Sequence, residues 1–232
     1  MPGIAENLRT VSTRIEAAGR KCGRHHNAVR LLAVSKTWPA AAVREAHAAG
    51  QVAFGENYVQ EAIDKMAELG DLPIEWHFIG PIQSNKTRLI ANHFAWVHSV
   101  DRLKIAQRLS EQRDVHLPPL RICLQVNVSG EESKSGVAPD ELPALAQAVA
   151  ALPRIELAGL MCIPEPGPDE ARLRGRFRQL VELRDDLRAM TGLPLDMLSM
   201  GMSDDLELAI EEGSTMVRVG SAIFGTRVRQ AV

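Results

Sequence analysis

The feature that most limits how this chain can fold is an alternation. Short apolar runs with β character recur at 29–36, 52–57, 74–80, 94–101, 121–129, 155–164, 195–202 and 215–225. Segments with helical spacing separate them, at 40–49, 58–69, 85–91, 102–113, 139–152, 169–190 and 203–212. A helix over 58–69, for example, gathers Val59, Ala62, Ile63, Met66 and Leu69 on one face. One more helical pattern, carried by Ile4, Leu8, Val11 and Ile15, comes before the first run. Strict alternation implies parallel strands joined by right-handed crossovers. The expected architecture is therefore a single (β/α)8 TIM-type barrel over residues 1–232, with a leading N-terminal helix. An open doubly wound sheet is the rival, weakened because no G-x-G-x-x-G follows the first run.

Composition narrows the function classes. The formal net charge is -2, so a basic footprint for nucleic acid is absent. Aromatic residues make up 4% of the chain, with one Tyr, too few for base-stacking platforms. The cysteines are Cys22, Cys123 and Cys162, an odd count without C-x-x-C, which points to a reducing compartment and to inert core thiols at 123 and 162. The N-terminus lacks the basic and apolar regions of a signal peptide. No apolar run approaches the roughly 20 residues of a membrane span. A cytoplasmic protein is expected. No zinc-ligand spacing, G-x-S-x-G elbow or P-loop is present.

In a barrel of this type, chemistry concentrates at the C-terminal ends of the strands. The first run ends Ala33-Val34-Ser35-Lys36. A lysine closing an apolar strand is desolvated, which lowers its pKa and frees the amine to form a Schiff base with an aldehyde. A lysine there also does no more, in many proteins, than snorkel to water. The seventh run ends Ser199-Met200-Gly201-Met202-Ser203, with Ser203 placed as the N-cap of the next helix. Such a turn exposes N–H groups to an anion, and Gly201 lets backbone approach a phosphate, although Asp204 and Asp205 must then point away. Gly220 and Ser221 offer a second backbone approach and a hydroxyl in the neighbouring run. Arg218 shares Gly220's face by strand alternation and needs a partner if it points inward, either a ring nitrogen or a carboxylate such as Glu207 or Asp101. His77, in the third run, is a candidate contact or base, or a satisfied barrel histidine.

Several long segments resemble the pyridoxal phosphate homeostasis proteins. They are Leu32-Ala33-Val34-Ser35-Lys36, Phe54-Gly55-Glu56-Asn57-Tyr58-Val59-Gln60-Glu61, Trp76-His77-Phe78-Ile79-Gly80-Pro81-Ile82-Gln83-Ser84-Asn85-Lys86 and Leu198-Ser199-Met200-Gly201-Met202-Ser203-Asp204-Asp205. Val217-Arg218-Val219-Gly220-Ser221-Ala222-Ile223-Phe224-Gly225 resembles that family's closing strand, and the likeness runs from about residue 5 to 227. It implies a barrel like the N-terminal domain of alanine racemase. It implies pyridoxal 5′-phosphate (PLP) held as a Schiff base on Lys36, with Asn57 near the ring, phosphate contacts near Ser203, Gly220 and Ser221, and Arg218 facing the pyridine nitrogen. His77, Ser199 and Gly201 complete the candidate cofactor-binding set. It further implies a regulator of free PLP without robust turnover, with PLP-dependent apo-enzymes as candidate acceptors. The chain ends soon after the eighth run, leaving no room for the racemases' second domain, so a monomer is expected. A PLP-dependent racemase or lyase and a cofactor-free Schiff-base aldolase are the alternatives. Lys134, in the polar loop 130–136, is a second candidate amine.

Overall fold

Parallel strands buried on both faces need apolar side chains pointing both ways, and the eight runs supply them. The computed structural model describes residues 3–131, 135–165, 167 and 169–225; Lys134 lies outside them. The strands are β1 Arg30–Val34, β2 Ala53–Glu56, β3 Glu75–Phe78, β4 Trp96–Val100, β5 Leu120–Gln125, β6 Ile155–Met161, β7 Met197–Ser199 and β8 Met216–Val219. They form a closed barrel in sequence order. Closure is made by β1, whose Leu32 stands opposite Arg218 of β8 and whose Ala33 stands opposite Phe54 of β2. Outward residues such as Phe54, Phe78, Val97, Leu124, Leu160 and Val217 pack against the surrounding helices. Inward residues Leu32, Ala53, Trp96, Cys123, Met161, Met197 and Met216 form a separate cluster in the lumen.

The helices are α1 Ile4–Lys21, α2 Ala40–Ala48, α3 Val59–Glu68, α4 Thr87–His93, α5 Leu103–Gln112, α6 Leu142–Ala150, α7 Glu170–Thr191, α8 Leu206–Glu211 and α9 Ser221–Phe224, with a 3-10 turn at Ser84–Lys86. No helix among the described residues is long and apolar enough to cross a membrane. Helix α1 buries Leu8, Val11, Ile15 and Ala18 and packs on α8 and α9. Its Arg14 reaches the Glu207 carboxylate at 2.7 Å and the Ser203 carbonyl at 3.0 Å. The leading helix therefore braces the loop after β7, which borders the barrel mouth.

The strands are shorter than the expected runs, and three of the boundaries that differ have a clear local reason. The helix expected from 203 begins at Leu206, because Gly201 turns the chain at φ +96 and the Asp205 carboxylate accepts the Met202 N–H. Ser203 is thus not the N-cap. The eighth run stops being a strand at Val219. Ile223 and Phe224 donate their N–H groups to the Gly220 carbonyl, winding 221–224 into α9. The fifth run ends at Gln125, and Val126 is diverted into an isolated parallel bridge with Val137.

Gly159 marks the tightest seam. It lies at the register shift between β5 and β6, and a methyl group there would fall on the Met197 carbonyl of β7. Gly175, within α7, would meet nothing. Gly159→Ala should therefore lower stability by roughly 1–3 kcal/mol or more. Gly175→Ala should raise it by about 0.5–1 kcal/mol. Urea unfolding midpoints check both signs.

Candidate functional site

Strand alternation sends Leu32, Val34 and Lys36 to the same side of β1, and the last of them reaches the mouth. Lys36 is half-buried and lines a cavity of about 490 Å³ together with Asn57, Ser203, Arg218, Gly220 and Ser221. The size suits a small-molecule site. A second cavity, about 550 Å³, opens at the opposite end of the barrel beside α1. There Arg24 is already bound to the carbonyls of Ile210, Ser214 and Ala28. The mouth has the more reactive lining.

The backbone around Lys36 is clamped from outside the barrel. Ser35 Oγ donates to Glu56 Oε1 at 2.6 Å. Lys65, projecting from α3, donates to the Ser35 carbonyl at 2.8 Å and to Glu56 Oε1 at 2.6 Å. Its third contact is Glu61 Oε1 at 2.8 Å, one turn earlier on the same helix. Glu61 Oε1 also accepts the Thr37 N–H at 2.5 Å. Thr37 has φ +66, a left-handed conformation that a β-branched residue adopts only under constraint. Both neighbours of Lys36 are thus tied to one buried carboxylate-lysine cluster. Burial pushes the Glu56 carboxyl up, against the pull of Lys65. None of Glu56, Glu61 or Lys65 was singled out in sequence. The available signal was the coincidence of the two glutamates in one motif with a lysine four residues beyond the second.

The other side of the mouth is built by two turns. Gly220 lies so close to β1 that a Cβ there would stand 3.2 Å from the Val34 carbonyl. Ser221 Oγ donates to Ser203 Oγ at 3.1 Å, pairing two hydroxyls on one rim. Gly201 sits just behind, its carbonyl accepting the Arg218 N–H at 2.9 Å. Arg218 forms the floor. Its Nη1 donates to the Ser199 carbonyl at 2.6 Å and to Ser199 Oγ at 2.8 Å, and its Nη2 donates to the Cys162 carbonyl at 3.0 Å. Among the described residues no carboxylate pairs with it. Glu207 is taken by Arg14 and Asp101 by Arg102. Asn57 Oδ1 is buried with no hydrogen-bond partner among the described residues.

An amine, a buried cation, an unsatisfied amide oxygen and a hydroxyl pair on a glycine-lined rim therefore share one cavity. That donor set fits an anionic aldehyde bearing a ring acceptor. Two expected contacts lie deeper. His77 and Ser199 are fully buried in the lumen, and His77 stacks on Trp96 with ring centroids 5.5 Å apart. His77 does not line the mouth, because its two ring nitrogens are engaged within the lumen by His98 and Glu75. Burial raises the thiols of Cys123 and Cys162 to about 12, so neither is a nucleophile. Among the described residues no group of His, Cys, Asp or Glu is arranged to hold a metal.

Two predictions follow from these clusters. Lys65→Met leaves the buried Glu56 charge uncompensated and should cost about 3–5 kcal/mol. Adding Glu56→Gln should restore part of the loss, read from denaturant midpoints of the single and double variants. At the other end of the barrel, the His77 N–H, opposed by burial and aided by Arg30, holds the Glu75 carboxyl at about 2 against an ordinary 4.5. A depressed carboxyl contributes stability that is complete above its unfolded value and is lost as pH falls through its folded value. Glu75→Gln should therefore flatten the acid limb of stability between about pH 4.5 and pH 2, followed by circular dichroism.

The chain has relatives in sequence and in fold. The family model for the alanine racemase N-terminal domain matches residues 6–228. A pyridoxal phosphate homeostasis protein of Pseudomonas aeruginosa is 66% identical over 227 residues, covering 98% of this chain and 97% of that protein. One from Escherichia coli is 54% identical over 231 residues, covering 98% of each. Among solved structures, PipY of Synechococcus elongatus with PLP bound is 42% identical with a TM-score of 0.85, covering 96% of this chain and 100% of that one. Alanine racemase of Corynebacterium glutamicum has a TM-score of 0.69 at 18% identity, over 97% of this chain and 63% of that one, a likeness of fold.

Proposed function

We propose that this chain, which belongs to the pyridoxal phosphate homeostasis protein family, binds PLP at the barrel mouth through Lys36 and holds it without robust turnover. The observation that carries this reading is the convergence of Lys36, Arg218 and the Ser203–Ser221 hydroxyl pair on one cavity. The Lys36 amine condenses with the aldehyde and water leaves. Ser203, Ser221 and the backbone at Gly220 receive the phosphate. Arg218 faces the ring nitrogen, and Asn57 lies near the ring. The presence of PLP in the PipY structure supports the choice of ligand.

Bound PLP supplies an electron sink for carbanion chemistry, and the strength of that sink depends on the protonation of the ring nitrogen. Arg218 is a guanidinium that does not surrender its proton, so it hydrogen-bonds the nitrogen without protonating it. The ionisable groups lining the cavity are Lys36, Asp204 and Arg218. With Lys36 occupied by the cofactor, Asp204 is the remaining carboxylate, and among the described lining residues no tyrosine, histidine or cysteine joins it as an acid-base group. Such a site stores an aldehyde more readily than it turns over an amino acid. An imine at an open mouth also exchanges with an incoming amine, one C=N bond replacing another. That makes the lysine of a PLP-dependent apo-enzyme a chemically competent acceptor.

Lys36→Ala should abolish the visible imine band of the purified protein and the borohydride-trapped adduct on the peptide containing residue 36. Retention of both would overturn the assignment. A racemase or lyase would exchange the α-proton of an amino acid in deuterated water faster than free PLP does. The expected result is no such acceleration.

A further inference from the structure

The lumen holds a line of hydrogen bonds that runs from the floor of the mouth to the opposite end of the barrel. Arg218 Nη1 lies 2.8 Å from Ser199 Oγ. Ser199 Oγ lies 2.8 Å from His98 Nδ1. His98 Nε2 lies 2.9 Å from His77 Nδ1. His77 Nε2 lies 2.8 Å from Glu75 Oε1, which is also held by Arg30. The middle of the line is dry: His77, His98 and Ser199 are each 0% exposed and Arg218 5%. Only Glu75, at the N-terminal end of β3, reaches solvent.

The two ends fix the direction of every link. A guanidinium can only donate, and an ionised carboxylate can only accept. Ser199 Oγ accepts from Arg218, so its hydroxyl proton goes to His98 Nδ1. His98 then carries its proton on Nε2 and gives it to His77 Nδ1. His77 likewise carries its proton on Nε2 and gives it to Glu75. The reversed arrangement would set a bare His77 Nε2 against the Glu75 carboxylate, two acceptors 2.8 Å apart. Neutral histidines in this line therefore each carry the proton on Nε2. Burial, which lowers both imidazoles, favours the same state. Trp96, stacked on His77, keeps that ring from turning.

We propose that Glu75, His77, His98 and Ser199 form a one-directional relay that positions Arg218 opposite the ring nitrogen of the bound cofactor. This rests on the reading of the mouth as a PLP site. His77 and His98 are positioning residues, acting through Ser199 and Arg218 without touching the cofactor. In such a line each donor polarises the next, so the carboxylate at the solvent end is coupled to a cation on the far side of the barrel.

The experiment has two arms. In the first, nitrogen NMR of the protein freed of PLP at neutral pH reports the tautomers. Both His77 and His98 are expected as neutral rings protonated on Nε2; a proton on Nδ1 of either overturns the relay. This arm does not depend on cofactor binding. The second arm measures PLP dissociation for the wild type, Ser199→Ala, His77→Phe and the double variant, with stability followed in parallel. Each single change should weaken PLP binding by about tenfold, the size of one hydrogen bond to a charged group. Because either change already cuts the line, the double variant should bind no more weakly than the weaker single. Unchanged binding, or losses that multiply in the double variant, would show these residues to be packing alone. A wild type that does not bind PLP at all would instead sink the proposed function and leave the tautomer result standing.

Discussion

A cation buried in the lumen of a closed barrel is the constraint around which this molecule is organised. Arg218 is 5% exposed, and no carboxylate among the described residues pairs with it. A charge so placed survives only if its donors are met by fixed acceptors. Ser199 of β7 and the Cys162 carbonyl just after β6 provide them. The lumen is accordingly divided. Leu32, Ala53, Trp96, Cys123 and the methionines of β6, β7 and β8 fill it by packing. A narrow polar path crosses the same space, linked from Arg218 through Ser199, His98 and His77 to Glu75.

A second cluster works from outside the wall. Lys65, Glu56 and Glu61 hold Ser35 and Thr37, so the residue between them is presented by a backbone that cannot relax. The left-handed Thr37 shows that this posture is imposed on the chain by its neighbours. The amine at the mouth is thus positioned by outward-facing residues that never see the cavity.

The barrel was legible in the sequence because its strands alternate with helices over the whole length, and because closure follows from having eight of them. The rim residues were legible because function in such barrels gathers at strand ends. What was not legible depends on contacts between elements. The tripeptide Ala222-Ile223-Phe224 reads as strand, since a short apolar run does not distinguish strand from helix. In the fold it becomes a turn of helix whose Phe224 stacks on Trp38 at 5.9 Å. Ser203 looks like an N-cap, yet the turn at Gly201 delays the helix. Glu56 and Lys65 look like surface charges until α3 folds back across β1 and β2. The link between His77 and His98 is invisible because their strands are brought side by side only by the sheet.

The closing seam has a consequence for biosynthesis. Strand β1 is hydrogen-bonded to β2 on one side and to β8 on the other, so the two halves of the mouth come from segments far apart in the sequence. As the chain leaves the ribosome, the lysine emerges early and waits through almost all of translation for the serine turns that face it. Domains fold as units during synthesis, and this barrel closes its mouth when β8 pairs with β1. On the proposed function, cofactor loading has to wait for β8, since a product stalled before it would hold Lys36 without the Gly220–Ser221 turn opposite.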